Sequence, residues 1–339
     1  LEFRRVLFRS VKERFICFND VSADRSATSL SELVFKTIQT WKCEKKLVAQ
    51  TYDGAATMAG QLNGLQAKVR EKYPSAIFIH CCAHVLNLVL SHSCSDIKEC
   101  KIFFSSINGL STFFTTSPKR TSALDNIVKK RFPKSAPTRW NYSSRLVNIT
   151  KENRDALITL FQEIIENPDN WDGNTINAAN GFSYYLQAPN FLFLMELFSD
   201  VFSFTDFLFN ILQTKIFDIV FCKEEVEKTI MILRNKLSTE SLDLFFDTLE
   251  EKYDFHTKIQ SKRRKTALID DPQQYYRSLY CKIINTLINQ LKIRYSSLEE
   301  LKFLQLFNYT KAKEYQRNFP EEALISLKAS YGNFFDIIT

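Results

Sequence analysis

Between Val11 and about His84, short β-type runs alternate with helical patterns. Arg14–Phe18 (Arg-Phe-Ile-Cys-Phe) predicts a first strand. Ser29 and Glu32 form a capping-box pattern ahead of a helix ending near Trp41. Leu47–Thr51 reads as a second strand. Leu62, Leu65, Val69 and Tyr73 mark the apolar face of the next helix. Ala76–Ile79 is a third strand, and another helix starts near Ala83. Three strands alternating with helices in about 70 residues predict an α/β unit with parallel neighbours.

Beyond about Asp96 the strand signals fade. Helical patterns follow over 96–116, 119–131, 140–166, 190–213, 222–237, 240–257 and 273–295. Val226, Ile230, Leu233 and Leu237 form one apolar stripe, and Tyr276, Leu279, Ile283, Leu287 and Leu291 form another. Phe191–Leu212 is the most hydrophobic run. Glu196, Ser199, Asp200 and Ser203 fall at i, i+3, i+4 and i+7 on it, which describes a mostly buried helix with one polar stripe rather than a membrane span. Asn167–Asn174 and Ser261–Pro272 read as loops. No internal repeat of fixed period occurs.

Composition narrows the class. Of the 339 residues, 45% are hydrophobic, 30 are Phe and only 7 are Gly. That excludes disordered, collagen-like and disulfide-scaffold chains and disfavours a turn-rich all-β fold. The net charge of +7 permits a nucleic-acid partner without requiring one. Nothing indicates secretion, so the eight Cys point to a reduced intracellular setting.

Three stretches between residues 50 and 140 carry candidate chemistry. Asp53, directly after the second strand and followed by Gly54, Ala55 and Ala56, suits a metal-binding acid that a phosphate can approach closely. The same residues describe an Asp-Gly turn, the plainer reading of the local sequence. Cys81 and His84, in His80-Cys81-Cys82-Ala83-His84-Val85-Leu86-Asn87-Leu88, sit at i and i+3 and could share a helical face. Metal ligation, a Cys–His nucleophile pair, or a buried Cys beside a hydrogen-bonded His all fit that spacing. Lys119, Arg120, Lys129, Lys130, Arg131, Lys134 and Arg139 stand against a single acid, Asp125, and the stretch ends at Trp140. This suits phosphate contacts with base stacking, or a solvated basic helix face. Ser261–Lys265 (Ser-Lys-Arg-Arg-Lys) resembles a nuclear-localisation or DNA-backbone patch.

Taken together, Tyr52-Asp53-Gly54-Ala55, Asn63-Gly64-Leu65-Gln66, the Cys-x-x-His-x-Leu-Asn segment at 81–87 and Thr138-Arg139-Trp140 come in an order and spacing that resembles hAT-type (hobo/Activator) DNA transposases. The closest likeness is to their zinc-finger MYM-type-like subgroup. The resemblance implies an α/β plus all-α chain: a partial RNase H-like catalytic core over 11–138, interrupted by a large helical insertion domain over 139–339. It implies a nuclear, DNA-binding protein, homo-oligomeric when full length, with no membrane partner. In that family three acids hold two Mg²⁺ or Mn²⁺ ions for cut-and-paste cleavage and strand transfer. Asp53 matches the second acid. Cys81 and His84 match the motif near the active site. Arg139 and Trp140 match the Arg-Trp motif, whose aromatic is expected to support a flipped base.

The departures shape the expectation. No residue matches the first acid, because Asp20 and Asp24 follow the wrong strand, and none matches the third, a Glu after the insertion. Leu1–Ser10 back-translates to a common sequencing-library adapter, so this segment is expected to be an assembly artefact. No N-terminal zinc finger or C-terminal dimerisation segment is matched. The expectation is a fragment of a transposase or transposase-derived protein, itself inactive in cleavage. The alternative is a domesticated nuclear protein that binds DNA or protein without catalysis.

Overall fold

A computed structural model describes residues 14–128, 131–133, 140–212, 219–256, 271–308 and 311–334; side chains at 140, 141, 219, 220 and 297 are outside this description. The chain divides into two compact units, one running to Phe78 and one starting at Ile79.

In the first unit, α1 (Ala27–Thr40) is followed by a 3-10 turn, β1 (Ala49–Tyr52), α2 (Ala56–Ala59) and α3 (Leu65–Lys72), then the start of β2 (Ile77–His80). β1 and β2 pair as a small parallel sheet, two helices forming the crossover. Ser26, not Ser29, caps α1: its hydroxyl accepts the Ser29 N–H at 3.3 Å. α1 packs on α3 over a core of Leu65, Val69 and Ala76, closed by Leu30, Val34, Phe35, Met58 and Tyr73. Gln50 is buried within it and donates through Nε2 to the carbonyls of Gln66 (3.1 Å) and Ala76 (3.0 Å), tying β1 to the far end of the crossover.

Two further expectations fail here. Arg14–Phe18 is not a strand: no partner strand lies beside it among the described residues, and Phe15 and Phe18 stay 73% and 92% exposed. A β-type pattern cannot pay its backbone hydrogen bonds without a neighbour. Leu62 is not on the core face of a helix but 90% exposed in the turn before α3. That turn is set by a close backbone approach. A Cβ on Gly64 would lie 2.4 Å from the Gly60 nitrogen and 2.5 Å from its oxygen. The Gly64 N–H donates to that same oxygen at 3.1 Å. Gly64→Ala is therefore expected to destabilise the chain by about 1–3 kcal/mol, the ordinary cost of forced overpacking. Equilibrium denaturation with an unchanged midpoint would remove this account of the turn.

The second unit is helical. α4 (Cys82–Ser95), α5 (Lys98–Thr115), α6 (Pro118–Asp125), α7 (Trp140–Glu152), α8 (Arg154–Glu166), α9 (Gly173–Leu186), α10 (Pro189–Leu212), α11 (Ile219–Asn235), α12 (Thr239–Tyr253) and α13 (Pro272–Tyr295) follow in order. A 3-10 segment over Ser296–Phe307, α14 (Ala312–Tyr315) and α15 (Glu321–Tyr331) complete it. α10 is the central helix, packing on α4, α5, α7, α9, α11 and α12. Phe191, Leu192, Phe193, Leu194, Met195, Leu197, Phe198 and Phe202 are all at most 1% exposed along it. An apolar surface all round is what a helix surrounded by six others requires.

The single helix expected over 140–166 is broken at Asn153, which leaves helical geometry and turns its side chain onto the Ile149 carbonyl at 2.8 Å. The 119–131 helix ends early, at Asp125. The loop read at Asn167–Asn174 is shorter than expected, because Asp172 caps α9 by accepting the Thr175 N–H at 3.0 Å. The α11 stripe holds for Val226, Ile230 and Leu233, and the α13 stripe holds throughout. No described helix is long and apolar enough to cross a membrane.

Candidate functional site

The candidate residues fall in both units. In the first unit, β1 delivers Asp53 at its C-terminal end, where the carboxylate is exposed. Its Oδ1 accepts the Ala55 N–H at 3.1 Å, which closes the turn into α2. The Asp-Gly turn is thus realised, with the carboxylate still facing solvent. Asp20 and Asp24 each serve a local turn, accepting the N–H of Ser22 (2.9 Å) and of Ser26 (2.8 Å). The Ser22 bonds hold the Asp20 carboxyl below the usual range. Among the described residues no group of three His, Cys, Asp or Glu could hold a metal ion. One exposed carboxylate does not make a Mg²⁺ or Mn²⁺ centre, which takes several oxygen ligands.

In the second unit, His80 ends β2, Cys81 is the N-cap of α4, and His84 stands one turn in. Cys81 and His84 are half-buried on the same helical face. The Cys82 thiol between them points inward, and burial pushes it up to about 12, so it is a neutral packing group rather than a nucleophile. Burial, then the charges of Arg294 and His84, lower the His80 imidazole below its ordinary value, favouring its neutral form.

α13 supplies what the local sequence does not. It packs along α4, and the buried Tyr295 hydroxyl donates to the Cys82 carbonyl at 2.9 Å. Near α13's other end, Tyr275 donates to Glu99 on α5 at 2.9 Å. The Cys-x-x-His turn is therefore held by a residue more than 200 positions away. Tyr295 continues the α13 stripe four residues past Leu291, so its burial was legible. Its partner was not.

The basic stretch is less free than its composition suggests. Lys119, on α6, lies over the Trp171 ring with its ammonium 4.4 Å from the centroid, and donates to the Asn170 carbonyl. Arg120 donates to Thr175 (2.9 Å) and Thr116 (3.1 Å) and stacks over Phe113 at 4.5 Å. Both residues thus fasten α6 to the start of α9. Arg131 is exposed but paired with Asp125, its Nε 2.7 Å from Oδ1. That pairing lowers the Asp125 carboxyl. Trp140 is the first residue of α7. Lys129, Lys130, Lys134, Arg139 and Ser261–Lys265 lie outside the described residues.

A family model described as DUF4371, the ZMYM1/FAM200 RNase-like domain, matches residues 7–64. That span includes α1, β1 and Asp53, and the last four residues of the segment read as an adapter translation. Across a longer stretch the chain is similar to the human protein named 52 kDa repressor of the inhibitor of the protein kinase. The two are 22% identical over 327 residues, 88% of this chain and 42% of the relative. The mouse protein of the same name is 22% identical over 326 residues, with the same coverage. The chain thus spans less than half the length of these curated relatives.

Proposed function

We propose that this chain is a portion of a transposase-derived protein of the hAT type that binds DNA in the nucleus. In this reading 11–138 is a partial RNase H-like core and 139–339 is a helical insertion. The observation that carries it is the RNase-like match over 7–64, a span that includes Asp53, and Asp53 directly follows β1. The similarity to the repressor proteins over 88% of the chain favours a domesticated role, in which the fold binds DNA without cutting it. Full-length protein would be homo-oligomeric.

A second reading keeps the parent catalytic. Its support is the exposed Asp53 carboxylate at a strand end. The intact parent would then need two further acids beside Asp53 to hold Mg²⁺ or Mn²⁺, whose chemistry there would be Lewis-acid assistance to phosphodiester cleavage. Within this chain the residues have narrower tasks. The Ala55 N–H orients Asp53, the Tyr295 bond holds the turn bearing Cys81 and His84, and Lys129, Lys130, Arg139 and Trp140 contact the DNA backbone and a flipped base.

Fluorescence anisotropy with duplex DNA tests the binding. Neutralising about three phosphates makes affinity fall about 40-fold between 50 and 200 mM salt. The triple variant Lys129→Gln, Lys130→Gln, Arg139→Gln should abolish most of that slope, while Lys119→Gln should leave it in place. Salt-independent binding, or none, would sink the DNA-binding reading. Metal-dependent cleavage by this chain, lost in Asp53→Ala, would instead establish that it is itself catalytic.

A further inference from the structure

The turn between α5 and α6 carries the segment Ser117-Pro118-Lys119-Arg120. Of the eight prolines in the chain, Pro118 alone is preceded by Ser or Thr. Ser117 has extended backbone geometry and is half-buried, while Thr116, Pro118 and Lys119 around it are exposed. It is the N-cap of α6, and its Oγ accepts the Arg120 N–H at 3.4 Å, a long bond. Pro118 fills the first helical position, where a missing N–H costs nothing.

Neither cation beside this serine is paired with a carboxylate among the described residues. Lys119 lies over the Trp171 ring and donates to the Asn170 carbonyl. Arg120 donates through its terminal nitrogens to the hydroxyls of Thr175 and Thr116 and rests on the Phe113 ring. It meets Asp172 only through the Thr175 hydroxyl, which donates to that carboxylate at 2.6 Å. The Arg120 Nε is buried and has no hydrogen-bond partner among the described residues. A charged donor held out of water without an acceptor is destabilising. The turn thus holds two cations and one orphaned N–H donor within three residues of a serine hydroxyl at the positive end of a helix.

We propose that Ser117 is a phosphorylation site for a proline-directed Ser/Thr protein kinase, and that Arg120 holds the resulting phosphate on the N-terminus of α6. Such a kinase takes an extended acceptor followed by Pro and favours a basic residue three positions on. Arg120 is that residue. The segment reaches the kinase when the first turn of α6 opens, and helix ends open most readily. The γ-phosphoryl of ATP passes to Ser117 Oγ as its bond to the β-phosphate oxygen breaks. ADP leaves, and the kinase's general base takes the hydroxyl proton. When the turn closes again, about two negative charges stand at the start of α6, and the phosphate oxygens accept from the Arg120 guanidinium. The join of α6 to α9, which Lys119 and Arg120 already fasten, becomes tighter. This assignment is independent of DNA binding and of Asp53.

Incubation of the whole chain with ATP, Mg²⁺ and a cyclin-dependent kinase, read by intact mass and peptide mapping, tests it. Expected is a single added phosphate, on Ser117. Ser117→Ala should take none. Pro118→Ala keeps the hydroxyl and the cap and should lose nearly all incorporation. The phosphorylated chain should melt about 2 °C above the unmodified one. Arg120→Lys keeps the charge that the kinase reads but loses the planar fork, so most of that rise should disappear. No incorporation, incorporation that persists in Ser117→Ala, or a melting temperature left unchanged or lowered by the phosphate would each overturn the proposal. A full rise in Arg120→Lys would overturn the part given to Arg120. If Ser117→Ala does not fold, peptide mapping of the wild-type chain still locates the phosphate.

Discussion

Phe198→Ala is expected to destabilise the helical unit by about 3–5 kcal/mol. Phe198 is fully buried on α10. Its ring stacks on Phe103 of α5 (5.7 Å between centroids, 16° between planes), meets the edge of Phe104 at 4.7 Å and touches Phe202 at 6.1 Å. Phe103 in turn packs on Phe191 at 5.5 Å, so the hole would open in the middle of an aromatic chain. α10 is held by six other helices and cannot move in to fill it. The cost therefore includes both the lost transfer energy and an unrelaxed cavity. Phe198→Leu keeps most of the volume and should cost under about 1.5 kcal/mol. Chemical denaturation reads both values. A loss below about 1 kcal/mol for the alanine variant would mean that the core collapses freely, against ordinary close packing.

Glu196→Gln comes next, at about 2 kcal/mol. Glu196 is one of the few buried acids, 6% exposed in an otherwise apolar helix. Burial pushes its carboxyl up, but the hydrogen bonds from Lys151 and Tyr253 and the charges of Lys151 and Lys252 outweigh this, and the net shift is downward. The amide keeps the shape and loses the charge, leaving Lys151 without its ionic partner. Lys151 is partly exposed and can turn to water, which keeps the cost below that of a fully buried pair. A carboxyl lowered on folding stabilises the protein above its ordinary value of 4.5, and that stability is lost as the pH falls through the folded value. Wild-type stability should therefore decline below about pH 4.5, and Glu196→Gln should flatten that decline. A parallel decline in both proteins would show that other carboxylates govern the acid limb. The same neighbours raise the Tyr253 phenol, first through burial and then through its bond to Glu196, so it stays a donor across this range.

Much of this was legible in the residues. The polar stripe at Glu196, Ser199, Asp200 and Ser203 marked its helix as a buried one with a single hydrophilic face, and on that face Glu196 pairs with Lys151 and Asp200 with Lys236. Tyr276 to Leu291 spelled a core face, and every named position on it is buried. Asp53 at a strand end was readable from its neighbours. The misreadings share one cause. Arg14–Phe18 has a strand's pattern but no strand beside it, and Leu62 has a helix's spacing but precedes the helix. Periodicity reports what a segment can bury, not whether a partner is there to bury it.

The sequence by itself determined the local rules. An α/β stretch precedes a helical one, Phe-rich faces must turn inward, and Asp53 begins a turn whatever else it does. The tertiary structure decided the pairings. It set Tyr295 on the Cys82 carbonyl, Tyr275 on Glu99, and Lys119 and Arg120 on the start of α9. It also left the buried Tyr280 hydroxyl without a hydrogen-bond partner among the described residues. The reason is physical. Periodicity and capping act over a few residues and can be read in one pass. A hydrogen bond between residues 82 and 295 depends on how two helices cross, which the packing of all their neighbours sets. The basic stretch at 119–139 shows the difference most clearly: its charge was visible at once, but only the fold showed that two of its cations already hold helices together.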